Sequence, residues 1–166
     1  MAVEEIVRYG DETLRKPAAK VRKFDDDIHQ LIERMYEVMK DNAGLGLAAP
    51  QIGVELQVFT YDIGEGPHAF VNPKIVRRKG EQVAVEGCLS IPGIQGDVPR
   101  AEQVTLSGLD ENGKPARIRA EGLLARVFQH EMDHLQGYLF IDRADPESLH
   151  VITKPEESKE EEQAEE

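Results

Sequence analysis

Between residues 121 and 136 the apolar side chains fall at helical spacing on two separate faces, and no other stretch restricts the fold so strongly. At about 100° per residue, Leu123, Val127, His130 and His134 share one face, while Leu124, Phe128 and Leu135 share another. A helix that is apolar on two sides has to be covered on two sides. The rest of the chain must therefore wrap around it. With 166 residues there is room for one core of ordinary domain size.

The flanking sequence supplies the wrapping. Residues 25–40 predict an earlier helix, with Ile28, Leu31, Ile32, Met35, Val38 and Met39 at helical spacing. Asp25, Asp26 and Asp27 suit its N-terminal end, where side-chain acceptors and negative charge are favoured. Residues 42–53 are rich in glycine and alanine and contain Pro50, which reads as an irregular loop where backbone approaches something closely. Residues 55–62, 69–76, 82–90, 98–108 and 116–120 are short and β-branched or alternating, as strands are. Glu111-Asn112-Gly113 marks a hairpin turn, and residues 146–153 predict a short helix or strand. The expectation is an α+β fold, antiparallel β-sheets around a central helix, in one domain over residues 1–153.

The net charge of −12 is unevenly spread: residues 156–166 hold seven acids and one lysine, leaving −6 for everything else. The end from residue 154 is expected to be a disordered, solvated tail. A mildly acidic body carries no general footprint for nucleic acid, although a local basic patch is compatible with it. No apolar run reaches membrane-spanning length, and the first residues lack the order of a secretory signal. A cytoplasmic protein is expected.

The central helix also carries chemistry. His130-Glu131-Met132-Asp133-His134 is an HExxH sequence, which sets two imidazoles one turn apart where they can grip one metal ion. Glu131 then lies beside the ion without ligating it, placed to take a proton from water and deliver it to a leaving group. The purely structural explanation, two histidines satisfying hydrogen bonds in a buried helix, leaves the intervening Glu131 without a purpose. His29, His68 and His150 have no ligand spacing around them and read as surface residues.

A catalytic ion of this kind takes three protein ligands and keeps one position open. Cys88 is the candidate for the third. It ends a predicted strand within Glu86-Gly87-Cys88-Leu89-Ser90-Ile91-Pro92, and a thiolate with two neutral imidazoles suits zinc, ferrous iron, nickel or cobalt. A lone cysteine also packs well in a core, so the residue alone leaves both roles open.

Three blocks together resemble the peptide deformylase family in order and spacing. They are Gly44-Leu45-Gly46-Leu47-Ala48-Ala49-Pro50-Gln51, Glu86-Gly87-Cys88-Leu89-Ser90, and Gln129-His130-Glu131-Met132-Asp133-His134-Leu135. Ile6-Val7-Arg8-Tyr9-Gly10 and Phe70-Val71-Asn72-Pro73 extend the likeness to roughly residues 4–145. The resemblance implies a deformylase-like fold and removal of the formyl group from the N-terminal formylmethionine of new polypeptides, with release of formate. It implies one divalent ion on Cys88, His130 and His134, with Fe2+ the native choice and Zn2+, Ni2+ or Co2+ able to replace it. Glu131, Gln51 and the Leu89 backbone N–H carry over as catalytic groups. The Gly44 and Gly46 backbone is suited to pair with an extended substrate as an added strand. Leu123 and Val127, on the ligand face of the helix, with Leu45 closing over them, offer either a slot for the methionine side chain or ordinary core packing. Glu86 completes the expected substrate-binding positions. A Glu86–Arg100 pair behind the cysteine is a further expectation.

As partners the resemblance implies formyl-Met nascent peptides and a transient association with the ribosome. It implies no sequence-specific nucleic acid, no membrane and a monomeric, cytoplasmic protein of bacterial type. Two features depart from the family. Where some deformylases carry an arginine after the cysteine block, this chain has Gly93-Ile94-Gln95-Gly96, and its acidic end replaces a C-terminal helix. A general HExxH peptidase would need a third ligand after Gly137 and leaves the first two blocks unexplained. A non-catalytic binder would have no use for Glu131, Gln51 and Cys88 together.

Overall fold

The computed structural model describes residues 6–152, so the acidic tail from residue 154 lies outside the described residues. Among the described residues two helices and eight strands follow one another, with short 3-10 turns between some of them. Helix α1 spans Asp26–Asp41, and the Asp25 side chain caps it by accepting from the N–H groups of Asp27 and Ile28. Strand β1 is Gly46–Ala48, β2 Val58–Tyr61, β3 His68–Lys79, β4 Gln82–Cys88, β5 Ile91–Arg100, β6 Gln103–Leu109 and β7 Pro115–Glu121. Helix α2 follows at Gly122–Gln136, and β8, His150–Val151, ends the described chain.

All strand pairs are antiparallel. They form a five-stranded sheet in the order β1-β2-β3-β6-β7 and a three-stranded sheet in the order β4-β5-β8. The two apolar faces of α2 explain this arrangement. Phe128 packs among Phe59, Tyr61 and Phe70 of the larger sheet, with ring centroids 4.9 to 5.8 Å away. The ligand-bearing face turns toward β4, where Glu86 and Cys88 meet His130 and His134. Helix α1 covers the other side of β1 and β2, its Ile32, Met35, Val38 and Met39 buried with Val58, Ala69 and Val71.

The α+β expectation agrees with this fold, but three local readings change. The loop expected over residues 42–53 contains β1 and a 3-10 turn at Ala49–Ile52. The single strand expected over residues 98–108 is two strands, β5 and β6, joined at Ala101 and Glu102. No glycine or proline marks that turn. Instead the side chain of Gln129 from α2 accepts from the Ala101 N–H at 3.0 Å and donates to its carbonyl at 2.9 Å. Third, Leu123 is half exposed at the N-terminal end of α2, so that face of the helix is incompletely covered.

Replacing Phe128 by alanine would empty the centre of the aromatic cluster. The expected cost is about 3–5 kcal/mol of stability, measured by urea unfolding of both proteins in the same metal state.

Candidate metal centre

One turn of α2 separates His130 from His134, and the end of β4 brings Cys88 against both. The ligand atoms of Cys88, His130 and His134 all lie within 4.8 Å of one another, and Cys88 Sγ is 3.3 Å from His134 Nε2. Tetrahedral coordination with bonds of about 2.0–2.3 Å would place such atoms about 3.3–3.8 Å apart. The donors therefore need little movement to close on one ion. Sulfur and imidazole together suit a borderline or soft divalent metal.

The orientation of His130 has a visible cause. Its Nδ1 lies 2.8 Å from Glu86 Oε1, which assigns the Nδ1 proton to that bond and leaves Nε2 free to ligate. Glu86 is buried in turn, and its charge is met by two guanidinium groups. Arg100 donates from Nε and Nη2 at 2.9 and 2.8 Å, and Arg126 donates from Nη1. Burial alone would raise the Glu86 carboxyl, but its bonds to Arg100 and His130 outweigh that and hold it well below the usual carboxylate range. Arg100 also reaches Asp133 at 2.6 Å, and Arg143 donates twice to the same carboxylate.

The expected Glu86–Arg100 pair is thus one part of a larger buried cluster. Arg126 and Asp133 were not singled out by their spacing in the sequence. Asp133 lies inside the HExxH motif about 60° around the helix from His130, and Arg126 lies one turn before His130, so α2 periodicity is the available signal. Glu86 borders the cleft, but both of its oxygens are already engaged by Arg100, Arg126 and His130.

Glu131 is buried, and its Oε1 has no hydrogen-bond partner among the described residues. Burial pushes its carboxyl up to about 7. Its other oxygen lies so close to Gly46 that a Cβ there would come within 2.6 Å of Oε2. Gly46 is therefore the residue that lets the loop pass over this carboxylate. Gln51 is buried too, and its amide is oriented by the Ala48 N–H, which donates to Oε1 at 2.9 Å. That leaves Nε2 directed at Ser90 Oγ, 3.2 Å away, and Cys88 Sγ, 3.6 Å away.

A cleft of about 380 Å³ opens beside these groups. Gly44, Leu45 and Gly46 line one side, Glu86, Cys88 and Leu89 another, and Leu123 and Val127 a third. Val127 is buried, whereas Leu45 and Leu123 are 46% and 51% exposed, which puts them at the open rim. Gln95 also lines the cleft, from the stretch in which this chain has no arginine after the cysteine block.

The cluster behind His130 makes a direct prediction. Glu86→Gln would leave Arg100 and Arg126 buried against a neutral amide, costing about 3–5 kcal/mol of stability. It would also loosen His130 and weaken metal binding by about 10- to 100-fold. Unfolding curves and competition with a chelating dye would measure the two effects separately.

The comparisons with known proteins agree with this geometry. A family model described as polypeptide deformylase matches residues 3–150. The peptide deformylase of Carboxydothermus hydrogenoformans is 48% identical over 145 residues, covering 87% of this chain and 95% of that protein. That of Thermomicrobium roseum is 46% identical, covering 95% of each. Among solved structures, peptide deformylase from Thermotoga maritima superposes with a TM-score of 0.83 at 44% identity, covering 85% of this chain and 97% of that one. The Synechococcus elongatus peptide deformylase, solved in complex with actinonin, gives 0.82 at 48% identity, covering 84% and 78%. With the match running through both the cysteine turn and the HExxH helix, this chain belongs to the polypeptide deformylase family.

Proposed function

We propose that residues 1–153 form a metal-dependent hydrolase that removes the formyl group from the N-terminal formylmethionine of newly made polypeptides, releasing formate. The observation that carries this reading is the convergence of Cys88, His130 and His134 beside a buried Glu131 and an oriented Gln51 amide, all at one cleft. A divalent ion held by the three ligands would supply the acidity that ionises water near neutral pH and the polarising charge for a carbonyl.

The chain's own groups supply the rest. Glu131 takes the proton of the attacking water and passes it to the amine as the formyl carbon–nitrogen bond breaks. Burial raises its carboxyl above the ordinary carboxylate range, which favours acceptance of a proton. The Gln51 Nε2 and the Leu89 backbone N–H stabilise the tetrahedral oxyanion. Because Ala48 already holds the Gln51 amide, that donor needs no reorganisation during reaction. The Gly44, Leu45 and Gly46 backbone pairs with the extended peptide as an added strand, which reads main chain and tolerates varied sequence. Val127 forms the base of the methionine slot, with Leu45 and Leu123 at its mouth.

Fe2+ is the native ion of this reading, with Zn2+, Ni2+ and Co2+ as substitutes. Among the described residues no helix is long and apolar enough to cross a membrane. The reading places a monomeric enzyme in the cytoplasm, in transient association with the ribosome.

Formate release from a formyl-Met peptide and from its acetyl-Met counterpart tests the reaction. Only the formyl peptide should react, and Glu131→Ala with its metal retained should lose about 10²–10⁴-fold in kcat. Cleavage inside the peptide chain would instead indicate a general peptidase. Gly46→Ala should lower kcat while leaving metal content unchanged, because the new methyl displaces the Glu131 carboxylate. If iron is native, exposure to air should inactivate the iron form through the metal or the Cys88 thiolate, while the nickel form survives. Equal loss from both forms would refute the iron assignment.

A further inference from the structure

Strand register gathers positive charge on the solvent side of the larger sheet. Val104, Leu106 and Ala120 point from this sheet toward α2. On the opposite side α1 packs over β1 and β2, leaving the far half of β3 with β6 and β7 exposed there. Lys74, Ser107 and Arg117 form one row across these three strands, and Arg77, Thr105 and Arg119 form the next. Residues three apart in a regular strand face opposite ways. The register shift between Ile75 and Arg77 adds one residue, and so keeps Arg77 on the same side as Lys74.

Strand spacing of about 4.8 Å and a rise of about 3.4 Å per residue set these four cations at the corners of a rectangle roughly 10 by 7 Å. The hydroxyls of Ser107 and Thr105 lie between them. Arg119 gives one N–H to Gln103 at 3.2 Å. None of the four has an ion pair among the described residues. In the third row Lys79 and Glu121 oppose each other across Gln103, which closes the patch at that end.

We propose that this face docks on RNA through its phosphate backbone. The chain as a whole carries −12, so net charge does not draw a polyanion in, and attraction has to come from local groups such as these four cations. Cations interleaved with hydroxyl donors suit phosphate oxygens. An anionic membrane would be expected to engage a broader apolar surface as well, and beside these cations Val76 alone is both apolar and exposed, the rows between them offering serine and threonine. No aromatic ring stands among them to stack on a base, so the contact reads phosphates and not sequence. The inference is independent of the deformylase reading. Where both hold, this face would seat the enzyme on a ribonucleoprotein that presents the new chain.

The test is fluorescence anisotropy of a labelled RNA duplex of roughly 16 base pairs with the full-length metallated protein at low salt. Binding should weaken with salt at a log–log slope of about −3 to −4, as four phosphate contacts require. Arg77→Glu with Arg119→Glu should weaken it tenfold or more and reduce the slope by about two. Lys74→Ala with Arg117→Ala should act in the same direction. Lys16→Glu, a charge reversal beside the C-terminal end of α2, should leave affinity within about twofold. Formate release from a small formyl-Met peptide should be unchanged in all three variants. Absence of RNA binding at low salt would overturn the proposal, as would equal loss in the Lys16 control. Tighter binding to phosphatidylserine vesicles than to RNA, lost in the Arg77/Arg119 variant, would transfer the face to a membrane.

Discussion

A carboxylate closed off from water must be met by positive groups or give up its charge, and Glu86 is met by side chains from two other elements. Arg100 comes from β5, while Arg126 and His130 come from α2. The smaller sheet is therefore fastened to the central helix by charge as well as by apolar contact. Arg100 extends the linkage to Asp133 on the same helix, and Arg143 closes it from the segment beyond. Such a cluster is a demanding way to join two layers, since removing one member leaves its partners charged and buried. What it provides here is direction: the ring of His130 turns on Glu86, and the ring's free nitrogen decides where an ion can sit.

The second constraint is close approach. The segment between α1 and β2 passes directly over Glu131, and Gly46 has no side chain to obstruct it. The same segment then turns through Ala49–Ile52, where the Ala48 N–H fixes the Gln51 amide. One glycine-rich stretch thus covers the carboxylate on one side and presents a donor next to the cysteine on the other. Had this stretch carried ordinary side chains, the carboxylate would have been held away from the loop and more open to water.

This division shows what could be read without coordinates. The helix periods, the HExxH spacing and the three sequence blocks point to α1, α2 and the three candidate ligands that the fold brings together, because each depends on residues close together along the chain. The β5–β6 turn escaped because its support comes from Gln129, 28 residues away. Arg126 and Asp133 escaped for the same reason: each looks like an ordinary helix residue until strand pairing brings Glu86 and Arg100 against it. The basic rows on the outer sheet face were equally hidden, since net charge says nothing about register and a single extra residue near Val76 decides which way Arg77 points.

The two glutamates of the site finally explain one another. Glu86 and Glu131 are both buried, yet their carboxyls are shifted in opposite directions, the first held down by Arg100 and His130 and the second raised to about 7 by burial. The negative charge of Glu86 itself helps to raise Glu131. An arrangement that pushes two like groups apart in this way assigns them different work. Glu86, with every oxygen engaged, remains an anion that orients a ligand. Glu131, with Oε1 unpartnered among the described residues and a glycine above it, has an oxygen left over for the proton transfer that the proposed reaction requires of it.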